Sequence, residues 1–188
     1  LGYQIYALQK KDRKMMNLSF DKALSIDPNK KITIFGQPTT VKEFVDVARM
    51  QFWGEEYNKG VEEFNRYRTS KSDDKDIVLE KAINTFITAS AIKPDEARTY
   101  SMLSTSYFFA GDAVETLKNI LKAVELSPED ASINLTAGQI FMQKQEFEQA
   151  LPYVKKAVEL DPSNTKSIRN LAQIYYDTGD MEKSIETY

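Results

Sequence analysis

The 188-residue chain contains no cysteine and no histidine. That excludes disulfides, Cys- or His-based metal sites, thiol nucleophiles and any Ser-His-Asp relay. Catalysis would have to rest on carboxylates, Lys, Tyr or Ser, so no enzyme is expected, and no cofactor or metal. The seven glycines are scattered. None builds a G-x-x-x-x-G-K, G-x-G-x-x-G or G-x-S-x-G signature, which removes the common phosphate-cradling and hydrolase loops. No run reaches the roughly 18 apolar residues that a membrane-spanning helix requires. Net charge is also small, −3 from 25 basic and 28 acidic residues, with pI near 5.2. Residues 1–31 hold seven bases and three acids. A basic end of this kind is read as a solvated Lys-rich stretch, with neither nucleic-acid binding nor membrane insertion expected.

What the chain does contain is a period. Pro94, Pro128 and Pro162 are spaced by 34 residues. Before each proline stands a small residue, a bulky one four later, then Ala three after that: Ala82, Phe86, Ala89; Thr116, Ile120, Ala123; Ala150, Val154, Ala157. A looser copy reads Met16, Phe20, Ala23, Pro28, and Ser184 with Tyr188 begins a further one. The helix before each of the later units repeats as well. Tyr100, Leu103, Ser104 and Tyr107 correspond to Asn134, Ala137, Gly138 and Phe141, then to Ile168, Leu171, Ala172 and Tyr175. Spacings of three and four place each set on one helical face. Small residues let two helices approach, aromatics fill the space beside them, and proline ends the unit.

This 34-residue paired-helix pattern resembles the tetratricopeptide repeat. The resemblance implies an all-α right-handed superhelical solenoid of antiparallel helix pairs. The expected divisions are a divergent N-terminal repeat over 1–28, a linker or short extended segment over 29–40, and a long helical region over 41–94. Repeats follow at 97–130 and 131–164, with an incomplete one at 165–188. Both ends look open, with Tyr188 standing where a core residue belongs, and the starting Leu1 suggests a processed or partial chain.

The resemblance also implies a function: a non-catalytic scaffold that holds a protein or peptide in a concave groove lined by the first helix of each pair. On those helices the face opposite the core stripe carries Arg98, Ser101, Thr105 and Phe108; Ser132, Leu135, Gln139 and Met142; and Lys166, Arg169, Gln173 and Tyr176. An acidic segment with apolar anchors would suit it. Chaperone-tail-binding members of the family carry a Lys/Asn/Arg carboxylate clamp. The corresponding residues are Ser101, Thr105, Thr136, Lys166 and Asn170, of which only Lys166 fits, so no such clamp is expected. Two alternatives stand beside the scaffold: a structural subunit that self-associates through its open ends, and an interaction module of a longer enzyme.

Between the repeats the pattern breaks. Lys31-Ile32-Thr33-Ile34-Phe35 alternates and Gly36-Gln37-Pro38 reads as a turn, with an extended linker expected rather than a hairpin. Thr40 and Glu43 form a capping box that starts a helix near Val41. The run through Trp53, Tyr57, Gly60 and Phe64 either continues that helix or begins another at Gly54. Aligning Gly60 with Gly138 leaves ten extra residues at 67–76, expected as a mobile charged loop. Its Asp73, Asp74 and Asp76 lack the donor spacing of a calcium loop. Phe52, Trp53, Tyr57 and Phe64 read as core rather than an aromatic cage, and Lys155-Lys156 as outer solvent face.

Overall fold

Helix ends in this chain are set by side chains that replace missing backbone partners. Asp112 accepts a hydrogen bond from the backbone N–H of Glu115, Asp130 from those of Ser132 and Ile133, and Asn164 from those of Lys166 and Ser167. These bonds satisfy donors that a helix cannot satisfy itself. Between the helices of a pair the backbone turns left-handed, at Gly111 (φ 79°) and Gly179 (φ 85°). The corresponding residue of the middle pair is Gln145, which takes the same conformation (φ 62°) without being glycine.

The computed structural model describes residues 12–71 and 73–187. Their contacts divide the chain into two units, 1–95 and 96–188, each taken by itself below. The start of the N-terminal repeat expected over 1–28, before residue 12, and Tyr188 lie outside the described residues. In the first unit the elements are α1 (Arg13–Ile26), β1 (Lys31–Ile34), β2 (Gln37–Thr40), α2 (Val41–Thr69) and α3 (Lys75–Ile92). The second holds α4 (Ala97–Ala110), α5 (Ala113–Leu126), α6 (Ala131–Gln143), α7 (Phe147–Leu160), α8 (Thr165–Asp177) and α9 (Met181–Thr187). The described fold is all-helical apart from the β1–β2 pair.

Residues 31–40 form a true antiparallel hairpin, correcting the linker expected there. Lys31 pairs with Thr40 and Ile34 with Gln37. The turn is Phe35-Gly36, with φ of 50° and 79°, one residue earlier than the Gly36-Gln37-Pro38 reading. Pro38, read as part of the turn, stands in β2 although it has no N–H to donate. A two-stranded ribbon consists only of edges, where that donor is not needed. Val41 N–H donates to Lys30 O (3.0 Å) and Lys42 N–H to Pro28 O (2.8 Å), fastening the ribbon to the helix it precedes.

From there α2 runs unbroken through Gly54 and Gly60, behind a capping box in which Thr40 and Glu43 satisfy each other's backbone donors. The loop expected at 67–76 is shorter here: residues 67–69 close α2 and residues 75 and 76 open α3. Counted from the glycine contact, α2 runs four residues further past Gly60 than α6 does past Gly138, α3 begins four residues further ahead of Ala82 than α7 does ahead of Ala150, and the connection is two residues longer, which accounts for all ten. Four residues make about one extra turn per helix. The first unit's core gathers Met16, Phe20, Val45, Ala48, Phe52, Trp53, Ala89 and Ile92. Trp53 stacks on Tyr57 with centroids 5.1 Å apart. Phe52, Trp53 and Phe64 are buried, so they are core residues and not an accessible cage.

Every complete helix pair meets at the same small residue. A Cβ at Gly60 would come within 2.6 Å of the Phe86 ring, and one at Gly138 would collide with Val154 Cγ2. Phe86 and Val154 each stand four residues after the small residue of the second helix, so the two units use one contact. Where glycine is absent, hydroxyls bridge the approach. Ser104 Oγ donates to Thr116 O (2.7 Å), and Ser184 Oγ donates to Ala172 O (2.9 Å), both buried. Three residues further along each helix lies a second paired position. In the middle repeat it is filled by Phe141 stacked on Tyr153 (centroids 5.5 Å apart). In the first unit it is filled by buried Glu63 accepting from Thr85 Oγ1 (2.6 Å), with Lys81 Nζ at 3.3 Å from the other carboxylate oxygen. In the second unit the core passes from pair to pair: Ile120 and Ala123 of α5 pack with Ile133, Ala137 and Ile140 of α6.

Two substitutions test this description by chemical denaturation. Gly138→Ala forces a methyl group into Val154 and is expected to cost about 1–3 kcal/mol, as overpacking does. Gln145→Gly removes the left-handed strain of a side-chain-bearing residue and is expected to stabilise by about 1 kcal/mol.

Candidate functional site

In the second unit α6 contacts α4 on one side and α8 on the other, while α5, α7 and α9 pack behind as their antiparallel partners. The first helices of the three pairs therefore adjoin one another, and these helices carry the twelve candidate residues. Of these, Arg98, Ser132, Lys166, Arg169, Gln173 and Tyr176 are exposed. Ser101, Thr105, Phe108, Gln139 and Met142 are half-buried.

Leu135 is buried, only 8 % exposed, and is not available as an anchor. Its helix is flanked by four others, so α6 buries Ile133, Leu135 and Ile140 as well as its core stripe of Asn134, Ala137, Gly138 and Phe141. Phe108 and Met142 are also partly committed to packing. Phe108 lines a cavity of about 110 Å³ with Ile140 and Lys144, and Met142 packs on the cluster containing Phe141 and Leu171. Tyr176, 56 % exposed, is the large apolar group that remains most open on this face.

Its polar chemistry is uneven. Thr105 Oγ1 donates to Ser101 O (3.0 Å) and Thr136 Oγ1 to Ser132 O (2.8 Å), so these hydroxyl protons are used within their own helices. On α8, Lys166 and Arg169 extend outward, and buried Asn170 Nδ2 has no hydrogen-bond partner among the described residues. Gln173 Nε2 donates to Asp177 Oδ2 (3.0 Å). Arg98 Nε donates to Glu96 Oε1 (2.9 Å).

Sequence reading missed Phe109, 48 % exposed and edge-on to Phe108 at 5.7 Å. Two adjacent phenylalanines at a helix end were the available signal. Behind the face, burial pushes the Tyr107 phenol above its ordinary value, with Glu115 and Asp112 adding to the effect. Lys156 Nζ lies 2.8 Å from Glu129 Oε2, and the hydrogen bond to that carboxylate holds the ammonium above the usual lysine value. Lys155 is exposed on the outer side, its Nζ 5.8 Å from the Tyr175 ring centroid. Asp73, Asp74 and Asp76 are exposed, and no group of three metal-binding side chains occurs among the described residues.

These helix pairs have the tetratricopeptide-repeat fold. The first such domain of Spaghetti (RPAP3), solved bound to an HSP90 peptide, is 17% identical with a TM-score of 0.60, over 69% of this chain and 94% of that one. A structure from the functional characterisation of Pseudomonas aeruginosa pilF is 15% identical with a TM-score of 0.65, over 74% of this chain and 60% of that one. MamA is 15% identical with a TM-score of 0.58, over 100% of this chain and 90% of that one. At such identities the likeness concerns the fold. No curated protein matches the chain. The family model of the ChAPs, the Chs5p-Arf1p-binding proteins, matches residues 75–188, more than half of the sequence, and the chain belongs to that family. Its general role is therefore protein–protein interaction, and repeats and families of this kind are generally non-catalytic modules.

Burial separates the candidate residues into two classes that a stability measurement distinguishes. Leu135→Ala should cost about 2–5 kcal/mol, as a core deletion. Arg169→Ala should stay within about 0.5 kcal/mol, as a surface change. Equal effects in urea unfolding would mean that the face is assigned wrongly.

Proposed function

We propose that the face shared by α4, α6 and α8 is a concave groove that binds an acidic, extended segment of a partner protein. The charge distribution carries this reading. Those three helices contain Lys166 and Arg169, together with Arg98, which is ion-paired with Glu96, and one acid, Asp177, which Gln173 engages. By contrast α5 and α7 each carry two acids and two bases. A positive face on a chain of net charge −3 favours acidic partners in encounter and in register. Lys166 and Arg169 supply the charge, and Tyr176 gives an apolar surface at the far end of α8.

The family's name speaks of binding Chs5p and Arf1p, and such a partner would engage this face. Nothing favours a chaperone tail, although one structural neighbour holds an HSP90 peptide. Of the clamp positions, Thr105 and Thr136 have committed their hydroxyl protons, and only Lys166 has the required chemistry.

A peptide-display library selected on the purified chain tests the proposal. Recovered sequences should be rich in Asp and Glu with an apolar residue. Their affinity should fall about tenfold or more in Lys166→Glu/Arg169→Glu, because like charges then face each other. Neutral or basic sequences, or affinity untouched by the reversal, would contradict it.

A second reading rests on α9, where Met181 and Ile185 stand 54 % and 76 % exposed four residues apart on one helical face. Self-association through that face would hide both. Light scattering should then show mass rising with concentration in the native chain and not in Met181→Glu/Ile185→Glu.

A further inference from the structure

The first unit contains a larger cleft that the groove reading does not use. It lies between α1 and α3, with Glu56 of α2 in its wall, and has a volume of about 660 Å³. That is the size of pockets that hold small ligands or a few residues of peptide. Asn17 lines it and is only 8 % exposed. Its Nδ2 donates to Ala91 O (2.9 Å), which fixes the amide's orientation, and its Oδ1 is buried with no hydrogen-bond partner among the described residues. One helical turn earlier stands Arg13, its guanidinium over the Phe52 ring (4.3 Å to the centroid). Its Nε donates to Glu56 Oε1 (2.9 Å) and its Nη2 to Glu55 Oε2 (2.7 Å), while its Nη1 is buried with no hydrogen-bond partner among the described residues. Leaving two such groups unsatisfied is costly, and native interiors rarely do so.

The vacant positions are one acceptor and one donor, on adjacent turns of the same helix face. A carboxylate would serve Arg13 and offer nothing to Asn17, and an ammonium the reverse. A peptide unit serves both, its C=O accepting from Arg13 and its N–H donating to Asn17. Exposed Leu18 (53 %) and Ile87 (43 %) flank the cleft with apolar surface for a side chain. Three basic and three acidic side chains line it, so net charge does not select the ligand. We infer that the α1–α3 cleft, through the unpaired Asn17 Oδ1 and Arg13 Nη1, binds the main-chain amide of an extended partner segment bearing an apolar side chain. This site is independent of the face on α4, α6 and α8.

The test uses the isotope-labelled full chain and two small probes, N-methyl-4-methylpentanamide and methyl 4-methylpentanoate, which share one branched apolar acyl group and differ in that only the amide has an N–H. The amide should move the Arg13 and Asn17 side-chain NMR resonances saturably. The ester should bind about fivefold more weakly, or worse, for want of the donor. Asn17→Leu should bring the two probes to equal affinity. If that variant loses its fold, Leu18→Asp and Ile87→Asp, both at exposed positions, should each weaken the amide. Equal binding of amide and ester by the native chain would reduce the cleft to an apolar surface and overturn the inference. So would the absence of any shift at Arg13 and Asn17, or full affinity in the Leu18 and Ile87 variants.

Discussion

The close approach of two helices at one small residue is the constraint on which the rest of this structure depends. Gly138 against Val154 and Gly60 against Phe86 bring the helix backbones together where a methyl group would not fit. Ser104 and Ser184 achieve the approach differently, each sending a hydroxyl to a carbonyl of the opposite helix. Helices held this near each other leave room for rings beside the contact, and Phe141 on Tyr153 takes it. Once a pair is formed its outer apolar surface is still open, so successive pairs must stack. Stacking in turn brings α4, α6 and α8 side by side. The candidate face is thus a consequence of the packing rule rather than an addition to it.

The first unit shows how far the rule stretches. Its α2–α3 pair keeps the glycine contact although ten residues have been inserted, because the insertion lengthens both helices equally and leaves their register untouched. Glu63 and Thr85 replace the aromatic stack of the middle repeat with a buried hydrogen bond. A carboxylate there must stay paired, since a buried charge without its partner is strongly destabilising.

Much of this was legible in the sequence because the repeat states its rules three times. The prolines, the small-then-bulky spacing and the glycine turns at 111 and 179 follow from local backbone chemistry, whereas the left-handed Gln145 carries no such signal. The hairpin was not legible: Pro38 is a poor strand residue everywhere except on an edge, and sequence does not reveal that both strands are edges. Nor was the fate of the 67–76 insertion, since a charged run reads as loop unless its equal division between two helices is seen. Among the candidate residues the charged ones lie exposed, as their solvation demands. Leu135 differs because its exposure depends on how many helices surround α6, a fact of tertiary structure. The unpaired groups of Asn17 and Arg13 carry no sequence signal at all.

The account is tested most directly by photo-crosslinking from two exposed positions in the same unit, Gln173 on the shared face of α8 and Leu121 on α5. A photoreactive residue at each would be activated in extract from the source organism and the adducts identified by mass spectrometry. The account predicts a discrete partner adduct from position 173 and none from 121. A partner adduct from 121 with none from 173 would place recognition on the opposite side of the repeats and contradict it.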